Sequence, residues 1–303
     1  MAGRIICILT SIIFVVNFQL SHSIATAESN FLLKKDLKVH FLDVGQGDCI
    51  LVETPEGKNI LIDGGPPSAG SKVVAYLKDH GITTLHLLIA THPDIDHIGG
   101  LIQVVEEINI EKVIDSGKLY NTKTYYTYLE KIREKKIPVS IVTQGEKIYS
   151  SPNLTLKAWN SKQEFKTNNQ AAIVLSLRYK QVDFLLMGDV EQEQEMEFIT
   201  QHSPLTEVLK VGHHGSGTST SLEFLQEIKP ETAILSYSKD NTYGHPVDRI
   251  INYLQLVRAT IYSTAKVGNI VVSTDGNGYD IKTHGKDRLI IGRAGGEVII
   301  SST

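Results

Sequence analysis

From residue 37 onward the chain breaks into short apolar runs divided by glycine- and aspartate-rich turns. KVHFLDVGQGDCILV, residues 38–52, alternates on both sides of a glycine loop and predicts strand, loop, strand. TPEGK turns the chain, and NILIDGG returns as a strand ending in Asp63 and two glycines. Residues 71–80 fit a short amphipathic helix closed by Gly81. LHLLIA is a buried strand that delivers His92, and Pro93 biases that histidine towards an extended backbone. IGGLIQVVEEI, following His97, predicts a helix. The strand EKVIDSG and a helix through YYTYLEKIREKK follow, then strands VSIVTQG, LTLKAWN, AAIVLSLRY and VDFLLMGD. Next come the helix EQEQEMEFITQH, the strand EVLKVGHHG, the helix SLEFLQEIK, the strand TAILSYS and the helix PVDRIINYLQLVRA. NIVVSTDGNGYDIK reads as a hairpin, and LIIGRAGGEVIISST as a tail that adds one strand or stays loose. Two groups of strands interspersed with helices predict two sheets covered by helices.

Ligand-type residues collect at the predicted strand ends: Asp63, His92 to His97, Asp189, His213, His214 and His245. Strand tips are where a rigid scaffold aims several side chains at one point. In THPDIDH, residues two apart on extended chain share a side, so His92 and Asp94 can converge on one ion. Asp96 and His97 enter the following turn and can serve a second. Imidazole and carboxylate together suit Zn²⁺, Mn²⁺ or Fe²⁺. The competing structural reading makes Asp96 a helix cap and the histidines surface residues. Asp189 is a bridging carboxylate or the N-cap of the acidic helix behind it. Of His213 and His214, taken as neighbours on a strand, one ligates while the other faces substrate, or both are plain loop residues. Lys210 and the hydroxyls of Ser216, Thr218 and Ser219 are candidate contacts for an anionic substrate, against the reading of Lys210 as a solvent-facing strand residue.

The first residues follow another pattern. MAGR carries one charge, IICILTSIIFVVNF is almost wholly apolar, and Ala25 and Ala27 frame a small-residue cut. That is the pattern of a secretory signal peptide, with cleavage expected after Ala27. The run is short for the ~20 residues of a spanning helix. Residues 1–27 are thus assigned to a leader, 28–282 to the domain and 283–303 to the tail. Cleavage removes Cys7 and leaves Cys49 alone, so no intrachain disulfide is expected. Net charge is −4, and loss of Arg4, the leader's one charged residue, takes it to −5. A broadly basic nucleic-acid surface is therefore not expected; the local run KIREKKIP, residues 131–138, reads as a solvated helix end.

DVGQGD, LIDGG, THPDIDHIGG, MGDVE, LKVGHHGS and NTYGHP, in this order, resemble the metallo-β-lactamase superfamily. They are most similar to the metallo-hydrolase domain of ComEC-type bacterial competence proteins, over roughly residues 38–282. The resemblance implies an α/β (α+β) fold, a four-layer αββα sandwich with metals at one edge of the paired sheets. Asp63 would orient the metal loop. His92 and Asp94 would bind one ion, Asp96 and His97 a second, and Asp189 would bridge. His245 would ligate the second ion, with His213 or His214 as acid or substrate binder; Asp96, His213 and His214 form the expected catalytic set. Asp94 stands where the superfamily has a histidine, and Asn169 near the place of another, as in ComEC-like chains. The expected cofactor is Zn²⁺ or Mn²⁺, one or two ions, and the hardness of this donor set favours Mn²⁺ or one tightly held ion.

Paired divalent ions ~3.5–4 Å apart yield a hydroxide nucleophile near neutral pH. The implied activity is a secreted, metal-dependent phosphodiesterase or nuclease acting on single-stranded DNA through metal-activated hydroxide. Related scaffolds also serve phosphorylcholine or teichoic-acid esterases and lactonases, and a non-catalytic accessory of DNA uptake is the remaining class. The mature chain carries no membrane channel of the ComEC kind, so transport is not expected.

Overall fold

A computed structural model describes residues 36–142, 144–160, 166–202 and 205–284, together with the strand backbone of 289–293 and 298–301. The leader assigned to residues 1–27, with its cut after Ala27, lies outside the described residues. The strands run β1 (Leu37–Phe41), β2 (Ile50–Glu53), β3 (Asn59–Ile62), β4 (Thr84–Leu85), β5 (Leu87–Ala90), β6 (Asn109–Ile110), β7 (Val113–Asp115), β8 (Val139–Ile141), β9 (Glu146–Ser150) and β10 (Leu154–Trp159). They continue as β11 (Val174–Tyr179), β12 (Val182–Leu186), β13 (Val208–Lys210), β14 (Thr232–Leu235), β15 (Thr260–Ser263), β16 (Asn269–Thr274), β17 (Tyr279–His284), β18 (Leu289–Arg293) and β19 (Val298–Ser301).

The period of two decides the layering. In β2, Ile50 and Val52 enter one apolar cluster and Leu51 another; in β3, Ile60 and Ile62 part in the same way from Leu61. In β12, Phe184 and Leu186 join the first cluster while Leu185 joins a third. Alternate side chains leave a pleated strand on opposite faces, so each sheet presents two apolar faces. The shared cluster fills the space between the sheets. The outer face of one sheet is covered by helices Gly70–Asp79, Leu101–Glu107 and Lys123–Glu134. The other is covered by Gln192–Gln201, Leu222–Ile228 and Asp248–Leu256. The result is helix, sheet, sheet, helix.

Sheet order explains why one edge collects the chemistry. The first sheet runs β19-β18-β17-β16-β1-β2-β3-β5-β7-β8 and the second β15-β14-β13-β12-β11-β10-β9. Neighbours are antiparallel from β19 to β3 and from β9 to β12. They are parallel from β3 to β8 and from β12 to β15. Parallel strands place their carboxyl ends on one side, where loops can build a site. Asp63 follows β3, His92 follows β5, Asp189 follows β12 and the histidine pair follows β13.

Some elements differ from the sequence reading. Glu146–Ser150 and Thr260–Ser263 are strands that the pattern did not signal, being short and half-polar edge strands. The helix expected after His97 is broken into Ile95–Ile98 and Leu101–Glu107 at Gly99 and Gly100. The tail forms two strands, β18 and β19, antiparallel to each other, rather than one. Helix Lys123–Glu134 ends in the basic run, where Lys131 pairs with Glu106 at 2.9 Å.

Glu195 is wholly buried by this packing, at 0 % exposure. Its two carboxyl oxygens accept from the backbone N–H groups of Thr220 and Ser221, tying helix Gln192–Gln201 to the loop behind the histidines. Burial raises its pKa from 4.5 to about 7 against those hydrogen bonds. A raised folded-state pKa means that the stabilising form is the protonated one, fully present below the unfolded value and lost as pH rises. Wild type should therefore lose roughly 3 kcal/mol relative to Glu195→Gln between pH 4.5 and pH values above 7. Urea unfolding across that range measures it; parallel stability curves for the two proteins would refute the assignment.

Candidate metal centre

The loop after β5 is built from close backbone approaches. Gly64 N–H donates to His97 O at 2.7 Å, Gly100 N–H to Gly65 O at 2.9 Å and Asp48 N–H to Asp96 O at 3.3 Å. A Cβ on Gly47 would lie 2.1 Å from Asp96 O, and one on Gly100 2.0 Å from Gly64 O. Both positions require glycine for contact, and this is the structural content of GQGD, DGG and IGG. Across the sheets, Ile173 N–H donates to Thr91 O at 3.0 Å, and within the second sheet His213 N–H, after β13, donates to Gly188 O, after β12, at 2.9 Å.

Within this frame the side chains converge. Three groups bring their ligand atoms within 4.8 Å of one another: His92, His97 and Asp189; Asp96, His97 and His214; Asp48, Asp189 and His214. His97 Nε2 and His214 Nε2 each stand 3.3 Å from Asp189 Oδ2, and His92 Nε2 stands 3.9 Å from it. His214 Nε2 is also 3.3 Å from Asp96 Oδ2. The second nitrogen of each ring is engaged. His97 Nδ1 lies 2.8 Å from Asp63 Oδ2, His214 Nδ1 2.9 Å from Ser236 O, and His92 Nδ1 3.1 Å from Thr91 Oγ1. Asp63 also accepts from Thr91 N–H at 2.9 Å and Thr91 Oγ1 at 2.7 Å.

The chemistry of these donors fits a divalent cation. His92 Nε2, His97 Nε2 and His214 Nε2 are buried without a hydrogen-bond partner and face Asp189, whose Oδ1 is likewise buried and unpartnered. Buried unpaired polar atoms are costly unless something outside the chain takes them up. Charge points the same way: the carboxylates of Asp48, Asp63, Asp94, Asp96 and Asp189 outnumber the single lysine ion-paired among them, Lys210. Burial alone would raise the pKa of Asp189, but His214 and His97 carry it well below the usual range. Burial would lower those of His97 and His214, yet Asp189 lifts both well above the ordinary imidazole value. The rings and carboxylates of the cluster are thus tightly coupled, and ligation of a cation is expected to be linked to proton release.

The helix-cap reading of the aspartates does not hold. Asp94, not Asp96, occupies the N-cap position of Ile95–Ile98 and makes no side-chain cap bond; Glu191, not Asp189, precedes helix Gln192–Gln201. Asp94 Oδ2 stands 3.5 Å from His92 Nε2, and its Oδ1 accepts from Asn168 Nδ2, but it enters none of the three groups.

The histidine pair departs further from expectation. His213 and His214 follow β13 in a tight turn with left-handed φ of 48° and 55°, not on a strand. That turn sends His214 inwards, where it joins two of the groups, while His213 stays on the rim with its side chain 20 % exposed. His245, expected as the second-ion ligand, joins no group; its ring lies 5.6 Å from that of His213. Asn169 Nδ2 lies 3.4 Å from His213 Nε2, and His213 Nδ1 lies 3.0 Å from Thr218 Oγ1.

Lys210 is neither a phosphate contact nor solvent-facing. It is wholly buried, pairs with Asp48 Oδ2 at 2.9 Å and donates to Val211 O. Burial would raise the Asp48 pKa, but the Lys210 ammonium, with His214, draws it far below the usual range. Ser216 is also buried, its hydroxyl turned to Thr218 rather than outwards. Asp48 is the residue that the sequence reading missed, and its signal was a carboxylate closing a glycine loop after a strand.

The family model described as Metallo-beta-lactamase superfamily matches residues 42–239. The chain is 30% identical over 257 residues to ComE operon protein 3 of Bacillus subtilis (strain 168), covering 78% of this chain and 33% of that one. It is 31% identical over 250 residues to Recombination protein 2 of Haemophilus influenzae (strain ATCC 51907 / DSM 11121 / KW20 / Rd), covering 80% and 29%. The chain thus spans about a third of the length of these relatives. The structure of CmlA, a diiron β-hydroxylase from Streptomyces venezuelae, superposes with a TM-score of 0.53 at 12% identity over 80% of this chain and 54% of that one, a likeness of fold alone.

Two outcomes test this geometry. Asp63→Asn should weaken Mn²⁺ or Zn²⁺ binding about 10–100-fold in calorimetric titration, because His97 loses the acceptor that orients it; unchanged affinity would remove Asp63 from the site. Lys210→Met should cost about 3–5 kcal/mol in urea unfolding by leaving Asp48 charged and buried. Adding Asp48→Asn should return much of that loss, and a strictly additive pair would show that the two groups are not coupled.

Proposed function

The chain belongs to the metallo-β-lactamase superfamily, and we propose that it is a metal-dependent phosphodiesterase that cuts single-stranded DNA outside the cell. The observation that carries this reading is the set of unpartnered nitrogens, Nε2 of His92, His97 and His214, around Asp189 at the open edge of the sheets. His92, His97, His214, Asp189 and Asp96 would hold one or two divalent ions, with Asp94 and Asp48 beside them. A divalent ion bound there supplies Lewis acidity for a phosphoryl oxygen and an acidified water at neutral pH.

The remaining work falls to the chain. Asp63 holds His97 through Nδ1 and holds Thr91, keeping the loop in one shape. The Ser236 carbonyl does the same for His214. His213 stands at the rim, and burial lowers its pKa, so the ring is neutral near pH 7. Thr218 Oγ1 at its Nδ1 and Asn169 Nδ2 at its Nε2 hold the ring at the mouth, where it would relay a proton to or from a substrate oxygen. Asn169, beside it, supplies a second polar contact at the same mouth.

Competence relatives support DNA over other esters. The extracellular setting rests on the leader pattern of MAGRIICILTSIIFVVNF, and no helix among the described residues is long and apolar enough to cross a membrane. Purified protein with Mn²⁺ or Zn²⁺ should cleave labelled single-stranded DNA and bis-p-nitrophenyl phosphate and leave a lactone intact, and Asp189→Ala should reduce turnover to the level of buffer. Cleavage of the lactone alone, or full activity in Asp189→Ala, would reject the reading.

A further inference from the structure

The loop between β14 and helix Asp248–Leu256 holds an aromatic pair that the metal centre does not use. Tyr243 is 69 % exposed, and its ring lies parallel to that of His245, with centroids 5.7 Å apart and planes at 26°. His245 in turn meets His213 edge-on at 5.6 Å, and His213 Nε2 is 3.8 Å from Asp189 Oδ2. The rings therefore step outwards from the carboxylate at the centre to solvent.

The pair is held in place by one side chain. Asn241 Oδ1 accepts from the backbone N–H of Tyr243 at 3.1 Å and of His245 at 3.0 Å. Asn241 Nδ2 donates to Ser238 O and His245 O, each at 2.7 Å. Ser238 N–H donates to Gln46 Oε1, which links this loop to the glycine loop under the site. A large ring left exposed on so well-bonded a loop has a fixed face without a protein partner to cover it. Of the cations near this rim, Lys210 is sealed against Asp48, Arg249 donates to Gly217 O and Ser219 O and lies over Tyr253, and Lys239 lies exposed on the same loop. What this rim offers a nucleic acid is a ring face, and every base has a π-face to lay on it.

We propose that Tyr243, backed by His245, is the stacking platform for the nucleobase next to the phosphate held at the metal centre. The inference rests on the single-stranded-DNA reading of the site. The test uses Mn²⁺-loaded full chain and two oligonucleotides of one sequence, the second with an abasic residue beside the cleaved phosphate. Tyr243→Ala should lower kcat/KM on the intact strand about tenfold, mainly through KM. Tyr243→Phe, which keeps the ring, should recover most of that loss. On the abasic strand the difference between wild type and Tyr243→Ala should vanish. Equal kinetics of the two proteins on the intact strand would overturn the platform while leaving the nuclease reading in place. An equal loss on both strands would overturn it in favour of a structural role for Tyr243. If wild type cleaves neither strand, the inference falls together with the reading beneath it.

Discussion

The Asp63 carboxylate accepts a hydroxyl and an amide from Thr91 and faces Nδ1 of His97, and the rest of the centre depends on that arrangement. Asp63 stands at the end of one parallel strand, Thr91 follows the next, and His97 lies in the loop beyond. A single buried group thus fixes the distance between two strand ends and the direction of one ligand. Asp63 itself adopts a left-handed backbone, φ 55°, which a short polar side chain bonded to its surroundings can sustain. The inner face of the cluster is then free of competing hydrogen bonds, and its unpaired nitrogens all look at Asp189.

Much of the fold was legible because its strands are short, apolar and bounded by glycine. The period of two in Ile50 to Val52 and in Ile60 to Ile62 survives as the split between inner and outer clusters. Edge strands such as Glu146–Ser150 were not, since a half-exposed strand has no buried face to mark it. The site was legible as a set of strand tips, but not in its inner assignments. His213 and His214 look equivalent in sequence, and only a left-handed turn, which no local pattern of L-residues announces, sends one inwards. His245, read as a ligand, joins none of the three groups whose ligand atoms lie within 4.8 Å of one another. Lys210 misled for the opposite reason: lysine is rarely buried, and its partner Asp48 lies far away in the chain.

The two sheets share a plan, each antiparallel at one end and parallel at the other. The parallel portions come together at the metal edge, where Ile173 to Thr91 and His213 to Gly188 join loops of different strands. Among the described residues cysteine has no part in this: Cys49 is buried beside the glycine loop, and burial raises its pKa well above the ordinary thiol value. Shape at the centre is maintained by hydrogen bonds and by glycines that let backbones touch.

The Asp48–Lys210 pair has a consequence for how the chain comes together. Burying either charge without the other is costly, and the two residues lie in different halves of the chain. Each half of the molecule therefore carries an ion that only the other half can neutralise. The sheets must meet before either interior is dry, so assembly of the two layers and enclosure of the catalytic edge are one cooperative event rather than two.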